Sequence, residues 1–455
     1  MNQPEDIKVA VIGGGLTGLT TAFYLKKAGI NVHIYEKSER VGGVIHTFNE
    51  NGFTFEAGPN SGVLSRVEAA ELLEDLADEC TLEVADETAK ARWIWKNGKW
   101  EPLPSGFIGG VTTPLFAFSD KLRILGEPFR KKGNNPNETL AELVLRRMGK
   151  SFLDYAIDPF ILGIYSGDPG KLVTKYAFAK LYELEQNYGS FIGGSVKKAR
   201  EPKTERDKKA TKVIFSVDGG LQNLINALVK KIGEENIHLN CKNIFVEANG
   251  NFYSTNLNKE VYTHVISTTG AYALPTLFPF VPADIIKRIT QMEYSKVVQV
   301  SLGFKTWKGL PLKAFGGLVP FIEKRDVLGV LFLSSFFKNK APENGALLSV
   351  FLGGVRRPEV AGLSDEEITE MVRKEVMEMM KLDTFEPDLM KIFRYEHAIP
   401  QYGLESEEKM KAIARVEKQF PGLILAGNIR DGIGIADRIK QGRIVAEELI
   451  KGGNE

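Results

Sequence analysis

The pattern of apolar and polar positions predicts a βαβ unit at the amino end of the chain. Residues 7–12 form a short β-branched run without turn formers, which indicates a buried strand. A glycine turn follows at once, and apolar residues then repeat at helical spacing through 16–27, with Gly29 as a helix stop. A second strand is predicted for 31–35, and it ends at Glu36.

The middle of the chain changes character. Residues 92–104 predict a hairpin that turns at Asn97-Gly98, and residues 105–170 are mostly helical in pattern. From 196 to 212 the chain is crowded with lysine and arginine, which is typical of a solvated loop.

The carboxyl-terminal half mixes strand and helix patterns. The predicted elements are a turn and an amphipathic helix in 217–233, strands at 243–247, 251–253 and 264–267, a β-rich stretch at 295–355, a helix at 364–380 capped by Ser364, and a closing strand, glycine-rich turn and helix in 423–450. The whole pattern predicts an α/β protein.

Composition bounds the function classes. The 455 residues suffice for two or three packed units, and 43% of them are apolar, as in globular proteins with a large core. The formal net charge of +1 gives no reason to expect a nucleic-acid partner. Cys80 and Cys241 lie in no disulfide or metal-like spacing and the five histidines are scattered, so no metal site is expected. The amino end lacks a signal-peptide pattern and no apolar run is long enough to span a bilayer, so a cytoplasmic location is expected.

A dinucleotide-binding motif lies between the first strand and the first helix. Gly13 permits the tight turn, Gly15 lets a diphosphate approach the backbone at the helix start, and Gly18 lets helix and strand pack closely. Glu36, at the end of the next strand, can accept hydrogen bonds from ribose hydroxyls. The glycines alone do not distinguish NAD from FAD.

Two further motifs resemble those of the FAD-dependent amine-oxidase superfamily. Arg40 and the pair Gly42-Gly43 resemble its second fingerprint, which allows another close approach to the cofactor. Near the end of the chain, a strand and a glycine-rich turn precede a helix that is predicted to begin near Ile435, as in its closing motif. A helix amino terminus there would stabilise the anionic reduced flavin. No cysteine lies near these motifs, so non-covalent FAD is expected.

Strings outside the cofactor motifs resemble the protoporphyrinogen oxidase family within that superfamily. They include FEAGPNSGV from residue 55, NGKWEPLPSG from 97, DPFILGIYSGDPGKL from 158, VDGGLQNL from 217 and APENGALLSVFLGG from 341, and they cover nearly the whole chain. The chain departs at Gly403-Leu404, where the family often has Gly-His, and any role of that histidine is therefore open here.

The resemblance implies a three-part architecture. It consists of a Rossmann-type FAD-binding domain (1–88, 212–292 and 402–455), a mixed β-sheet substrate-binding domain (89–105, 171–211 and 293–401) and a helical subdomain (106–170). The implied FAD-binding residues are Gly13, Gly14, Gly15, Leu16, Thr17, Gly18, Glu36, Lys37, Arg40, Gly42, Gly43, Gly58, Pro59, Asn60, Ile244, Gly427, Asn428, Gly434, Ile435 and Ala436.

The resemblance also implies a porphyrinogen substrate. The expected reaction is the oxygen-dependent six-electron oxidation of protoporphyrinogen IX to protoporphyrin IX in haem biosynthesis, with no catalytic acid or base among the side chains. The implied substrate-binding residues are Arg92, paired with a propionate, Gly163 and Gly167, which bring backbone close to the macrocycle, and Leu318, Leu331 and Phe351, which hold the pyrrole rings.

Several alternatives stay open on the sequence alone. Coproporphyrinogen III could replace protoporphyrinogen, or the chain could be another amine oxidase or a desaturase of the superfamily. Some proteins of this fold bind prenylated partners without flavin chemistry, although the intact glycine motifs argue against that function.

The predicted helical segment carries apolar residues followed by basic ones. Phe107, Ile108, Leu115 and Phe116 precede a run of lysines and arginines that includes Lys121, Arg123, Arg130, Lys131 and Lys132. This order suits either a peripheral contact with the inner face of a membrane or a helical cover over the substrate opening. Oligomeric state is not indicated by the sequence.

Overall fold

The computed structural model describes residues 7–104, 106–258 and 260–452, and at 106–108 it describes the backbone alone. Its strands are β1 (Lys8–Ile12), β2 (Asn31–Tyr35), β3 (His46–Glu50), β4 (Phe53–Ala57), β5 (Gly62–Val63), β6 (Leu82–Val84), β7 (Trp93–Lys96), β8 (Lys99–Pro102), β9 (Ile214–Val217), β10 (Ile237–His238), β11 (Val246–Asn249), β12 (Phe252–Thr255), β13 (Val261–Tyr262), β14 (His264–Ser267), β15 (Tyr294–Phe304), β16 (Gly316–Leu318), β17 (Val327–Phe332), β18 (Ala346–Gly353), β19 (Leu389–Pro400) and β20 (Leu423–Leu425).

The helices are distributed over the whole chain. They are α1 (Leu16–Lys27), α2 (Val67–Asp75), α3 (Gly106–Thr112), α4 (Phe118–Leu125), α5 (Leu140–Arg147), α6 (Lys150–Phe152), α7 (Asp158–Tyr165), α8 (Thr174–Ala177), α9 (Ala179–Tyr188), α10 (Phe191–Ala199), α11 (Glu205–Lys208), α12 (Gln222–Ile232), α13 (Leu274–Leu277), α14 (Ala283–Thr290), α15 (Asp365–Met380), α16 (Ser406–Gln419) and α17 (Ile435–Gly452).

A parallel sheet assembles from segments that are far apart in the sequence. In the described chain, five strands pair in the order β10-β2-β1-β14-β20, and all neighbours are parallel. Helices α1, α12 and α17 cover one face, and the antiparallel sheet β11-β12-β13 and α14 cover the other. Because both faces are covered, the central strands are continuous apolar runs. The predicted βαβ unit is confirmed.

The second large sheet contains both parallel and antiparallel strand pairs. Seven of the described strands pair in the order β19-β15-β18-β17-β16-β7-β8, with antiparallel neighbours except for the parallel pair β16 and β7. One face packs on α15 through residues such as Val300, Val330 and Val350. The hairpin of β3 and β4 covers part of the other face, where the ring of Phe53 occupies the space beside Gly303.

Short helices between α3 and α10 pack beside the mixed sheet. Arg147 is fully buried and donates to Glu185 at 2.5 Å and also to Glu127. Glu127 in turn accepts from the backbone N–H of Phe191 at 2.8 Å. This buried ion network ties α5 to the start of α10, and the predicted helical character of 105–170 is confirmed by the described residues.

The basic run at 196–212 is not a loop throughout, so that prediction was wrong in part. Its first residues continue α10, and α11 forms within it. The Ser190 hydroxyl oxygen accepts from the backbone N–H of Gly193 at 2.9 Å and so caps α10, and Phe191 anchors that helix in the core. The capped and anchored helix therefore extends into the charged residues.

Two residues predicted for an interfacial patch are buried instead. Leu115 is 0% exposed and Phe116 is 7% exposed, and the Phe116 ring stacks on Phe152 with centroids 3.7 Å apart. Phe107 and Ile108 have side chains outside the described residues. Of the described helices, none has the length and apolarity needed to cross a bilayer.

Candidate cofactor and substrate site

The glycine turn after β1 leaves free space at the start of α1. A Cβ on Gly18 would overlap the Gly13 carbonyl oxygen, and Gly13 itself has a φ of +108°. A Cβ built on Gly15, by contrast, meets nothing within 4 Å. Gly15 is the N-cap of α1 and supplies no side-chain cap, and the first turn contains no acidic residue. The free N–H groups of this helix start suit a diphosphate.

Glu36 joins this turn to the end of β2. The carboxylate is 7% exposed and accepts from the backbone N–H of Gly14 at 2.7 Å and of Ser38 at 2.9 Å. Each carboxylate oxygen has further acceptor capacity. Lys37, the next residue, is exposed.

The second fingerprint packs directly on the first. Gly42 N–H donates to the Gly14 carbonyl at 2.7 Å, and a Cβ on Gly43 would lie 3.5 Å from the Gly15 Cα. Arg40 donates to the carbonyls of Val41, Ile45 and Gly43 at 2.9–3.0 Å. Its guanidinium therefore fixes the conformation of the turn. Gly14 and Gly15 of the first motif and Gly42 and Gly43 of the second line one surface.

The loop after β4 connects this surface to the mixed sheet. Gly58 N–H donates to Gln299 Oε1 at 2.9 Å, and Gln299 Nε2 donates to the Glu56 carbonyl at 2.9 Å. Pro59 is half-buried. Asn60 is 5% exposed, and its Oδ1 has no hydrogen-bond partner among the described residues. A buried carbonyl oxygen without a donor is suited to a ligand N–H or O–H.

The closing loop lies at the start of α17. Gly427 has a φ of +88°, and its Cβ would lie 2.8 Å from the Thr268 carbonyl oxygen. Tyr402 is buried, and its hydroxyl donates to the carbonyls of Asn428 at 2.9 Å and Gly432 at 3.1 Å. Asn428 Oδ1, like Asn60 Oδ1, has no partner in the described part of the chain.

Helix α17 begins beside α1. The Gly434 carbonyl accepts from Arg438 N–H at 3.0 Å, and Gly434 is exposed, whereas Ile435 and Ala436 are buried. The two helices cross closely because Gly442 has no side chain, and a Cβ there would stand 2.6 Å from the Thr17 carbonyl oxygen. The first turns of the two helices thus lie side by side, joined by a hydrogen bond from the Thr17 hydroxyl to the Arg438 carbonyl at 3.4 Å, and the acidic residue in the first turn of α17, Asp437, is paired with Arg66. Leu16 is buried beside the first of them.

Three apolar residues form a half-buried patch on one face of the mixed sheet. Leu318, Leu331 and Phe351 are half-buried, in strands β16, β17 and β18 whose other residues are buried. Leu318 pairs with Gly329, which pairs with Phe351, and Leu331 is two residues from Gly329. All three side chains therefore lie on one face. Gln299, which binds Gly58, pairs with Phe351 on the next strand, so this face adjoins the loop after β4.

Arg92 lies beside one end of a strand in the same sheet. It precedes β7, in which Ile94 pairs with Leu318. Its guanidinium is 5.6 Å from the Phe315 ring centroid, and no carboxylate of the described residues forms an ion pair with it. Burial lowers the pKa of Arg92. A half-buried guanidinium without a counter-ion suits a carboxylate ligand.

Helix α7 faces this patch. Gly163 is exposed, and its Cβ would lie 2.7 Å from Leu318 Cδ2. Gly167, by contrast, is buried, and a Cβ built on it would lie 2.5 Å from Gln401 Oε1. Phe160 and Ile164 are 39% and 38% exposed on the Gly163 face. These two residues are not among those predicted from the sequence, although their i, i+3, i+4 spacing with Gly163 indicates a shared helix face.

The remaining residue predicted for cofactor binding lies on the Glu36 side of the site. Ile244 is half-buried in the loop before β11, close in sequence to Cys241, whose N–H donates to the Glu36 carbonyl at 2.9 Å. Within residues 7–104, 106–258 and 260–452, no cluster of three His, Cys, Asp or Glu side chains could hold a metal ion.

Comparisons with known proteins agree with this geometry. A family model described as flavin containing amine oxidoreductase matches residues 16–450. The chain is 29% identical to protoporphyrinogen oxidase 2, chloroplastic/mitochondrial, of Arabidopsis thaliana, over 97% of this chain and 94% of that one. It is 27% identical to coproporphyrinogen III oxidase of Bacillus subtilis (strain 168), over 97% of each. Among solved structures, reduced UDP-galactopyranose mutase has a TM-score of 0.75 at 18% identity and covers 99% of this chain and 96% of its own.

Proposed function

The chain belongs to the flavin-containing amine oxidoreductase family, and on that premise we propose that it oxidises protoporphyrinogen IX to protoporphyrin IX with molecular oxygen as acceptor. Its cofactor is FAD. The site residues fit this group. The uncapped start of α1 can bind the diphosphate, Glu36 can accept from ribose, and the unpartnered oxygens of Asn60 and Asn428 can accept from flavin or ribose donors.

The observation that carries the substrate proposal is the apolar patch beside an unpaired cation. Leu318, Leu331 and Phe351 are the half-buried members of otherwise buried strands, and their side chains lie on one face of the sheet. Arg92 adds a guanidinium for a carboxylate. A flat apolar macrocycle with propionate side chains matches both features.

The residues have distinct tasks in the proposed reaction. FAD, when bound, would accept a hydride, that is two electrons and one proton, from a bridging carbon of the macrocycle. Arg92 binds a propionate and so orients the ring, and the apolar patch excludes water from the reacting face. No side chain is assigned as acid or base, because a pyrrole N–H can lose its proton to solvent. Three rounds remove six electrons, and each round reduces one O₂ to hydrogen peroxide.

The test is a direct comparison of substrates. Purified protein loaded with FAD is mixed with protoporphyrinogen IX or coproporphyrinogen III, and porphyrin fluorescence is followed against an enzyme-free control, because porphyrinogens also oxidise in air. The proposal expects the higher kcat/KM with protoporphyrinogen. Turnover of neither porphyrinogen by FAD-loaded protein would refute it, and amine or desaturase substrates would then be tested.

Coproporphyrinogen III is the second candidate. It is favoured by the match to the Bacillus subtilis relative, which extends over 97% of both chains. That substrate bears four propionates, whereas protoporphyrinogen bears two. A higher kcat/KM with coproporphyrinogen in the same assay would select this alternative.

A peripheral membrane contact remains part of the proposal, on residues different from those first predicted. Phe118, Leu122 and Leu125 lie along one side of α4 and are 75%, 53% and 58% exposed, and Phe129 beyond them is 90% exposed. Exposed Lys131 follows in sequence. This apolar ridge with basic neighbours suits an anionic lipid surface. Co-sedimentation with anionic vesicles should disappear in a Phe118→Asp, Phe129→Asp variant, and wild-type protein that does not co-sediment would refute the contact.

A further inference from the structure

Arg438 is a buried cation in the first turn of α17. It is 9% exposed, and its guanidinium donates only to neutral acceptors: Nη1 to Gln441 Oε1 at 2.7 Å and Nη2 to the Arg430 carbonyl at 2.9 Å. Its Nε has no partner among the described residues. Burial lowers the pKa of Arg438, although Tyr402, Asp431 and Asp437 act in the opposite direction, so the nearby carboxylates compensate its positive charge only in part.

The neighbouring carboxylates have other partners. Asp437 pairs with Arg66 at 2.8 Å, and Asp431, which is exposed, accepts from Gln441 Nε2 at 2.8 Å. In the described chain no carboxylate forms an ion pair with Arg438, although an uncompensated buried charge is costly. A bound anion close to the Arg438 guanidinium would therefore be stabilised by its positive charge.

The position of Arg438 indicates which anion this is. Its N–H donates to the Gly434 carbonyl at the start of α17, and the Gln441 oxygen that it binds also accepts from Gly427 N–H at 2.8 Å. The guanidinium therefore packs against the closing loop, which contains Gly427 and Arg430. A neutral flavin that has taken two electrons and one proton carries one negative charge.

We propose that Arg438 is the internal counter-charge for reduced FAD and raises the reduction potential of the bound cofactor. The charge acts together with the helix start of α17, and both fields point in the same direction. The inference depends on FAD binding and is independent of which substrate the flavin oxidises.

A purely structural role for Arg438 makes a different prediction. If the guanidinium only braced the closing loop, its replacement would alter FAD affinity and thermal stability but not the reduction potential. Arg438→Gln keeps an N–H donor and removes the charge, whereas Arg438→Lys keeps the charge and removes the two-pronged donor. Arg443→Gln is the matched control, because Arg443 lies on the same helix but is paired with Glu447 at 2.7 Å and with Glu71.

The experiment is a spectroelectrochemical titration of the FAD-loaded variants. At a fixed applied potential, the ratio of reduced to oxidised flavin should fall at least about tenfold in Arg438→Gln, which equals about 30 mV for a two-electron couple. Arg438→Lys and Arg443→Gln should stay close to wild type. An unchanged ratio in Arg438→Gln, or an equal fall in Arg443→Gln, would overturn the inference.

The wild-type protein provides a second measurement that needs no variant. If the reduced flavin stays anionic, its midpoint potential should change by about 30 mV per pH unit between about pH 6 and pH 8, and twice that slope would overturn the inference. Protein that binds no FAD would refute both this inference and the proposed function. A retained potential shift without porphyrinogen turnover would refute the proposed substrate alone.

Discussion

Replacement of Gly442 by alanine should weaken FAD binding, because it separates the two helices that frame the site. A Cβ at Gly442 would stand 2.6 Å from the Thr17 carbonyl oxygen, 2.8 Å from Thr20 Cβ and 3.1 Å from Thr21 N. Two of these atoms belong to the backbone of α1 and cannot rotate away. Crowding of this kind costs about 1–3 kcal/mol, and the backbone contacts place Gly442 near the upper end. Alanine regains about 1 kcal/mol through helix propensity, which leaves a net cost of about 2 kcal/mol.

The assay is titration of the apoprotein with FAD, read by quenching of flavin fluorescence. If the crowding is relieved when the helices separate in the apoprotein, about 2 kcal/mol corresponds to a Kd about 30-fold higher. Gly452→Ala is the control, since it lies on the same helix and its Cβ would meet nothing within 4 Å. Equal FAD affinity in the Gly442 and Gly452 variants would show that the close crossing does not shape the site.

Three further outcomes are expected. Arg92→Leu should raise KM for a porphyrinogen about 10- to 100-fold without changing the flavin spectrum, because a hydrogen bond to a charged group is worth roughly 1.5–3 kcal/mol; unaltered KM in steady-state assays would contradict the propionate contact. Phe351→Ala should lower kcat/KM with little effect on the thermal midpoint, whereas Val350→Ala, on the buried face, should lower stability by roughly 2 kcal/mol and spare activity; the opposite pattern would reverse our assignment of the two faces. Burial lowers the pKa of Lys409 from 10.5 to about 8, so the unfolded chain holds this proton up to a higher pH than the folded one does. The free energy of unfolding should therefore rise by about 3 kcal/mol as the pH rises from about 8 to 10.5, and Lys409→Met should lack this rise. Parallel pH profiles of unfolding for wild type and variant would refute the assignment.

The cofactor half of the fold was predictable because its signals are local. Strand, glycine turn, helix and Glu36 follow one another within thirty residues, and each has a steric or electrostatic reason that holds in any surrounding. The cap at Ser364 is equally local: its hydroxyl accepts from Glu367 N–H at 3.2 Å, as the sequence predicts. The half-exposure of Leu318, Leu331 and Phe351 fits the roles that the family resemblance implies, but those roles remain predictions.

The missed features depend on contacts between distant residues. Gln299 binds Gly58 across 241 positions, and no pattern around either residue indicates the partner. Leu115 and Phe116 have the composition of an interfacial patch, but their burial depends on Phe152, which the chain reaches only after α5. Arg438 could not be distinguished from a solvated arginine until its burial was known.

The crossing of α1 and α17 also constrains how the protein is made. Thr17 and Arg438, which are joined by a hydrogen bond of 3.4 Å, are separated by 421 positions, so α1 can meet α17 only after the whole stretch between them has been synthesised. Contacts of such separation require a large loop to close and form late. FAD can therefore contact both helix starts only after α17 has been synthesised, and a chain interrupted before α17 would lack that part of the site.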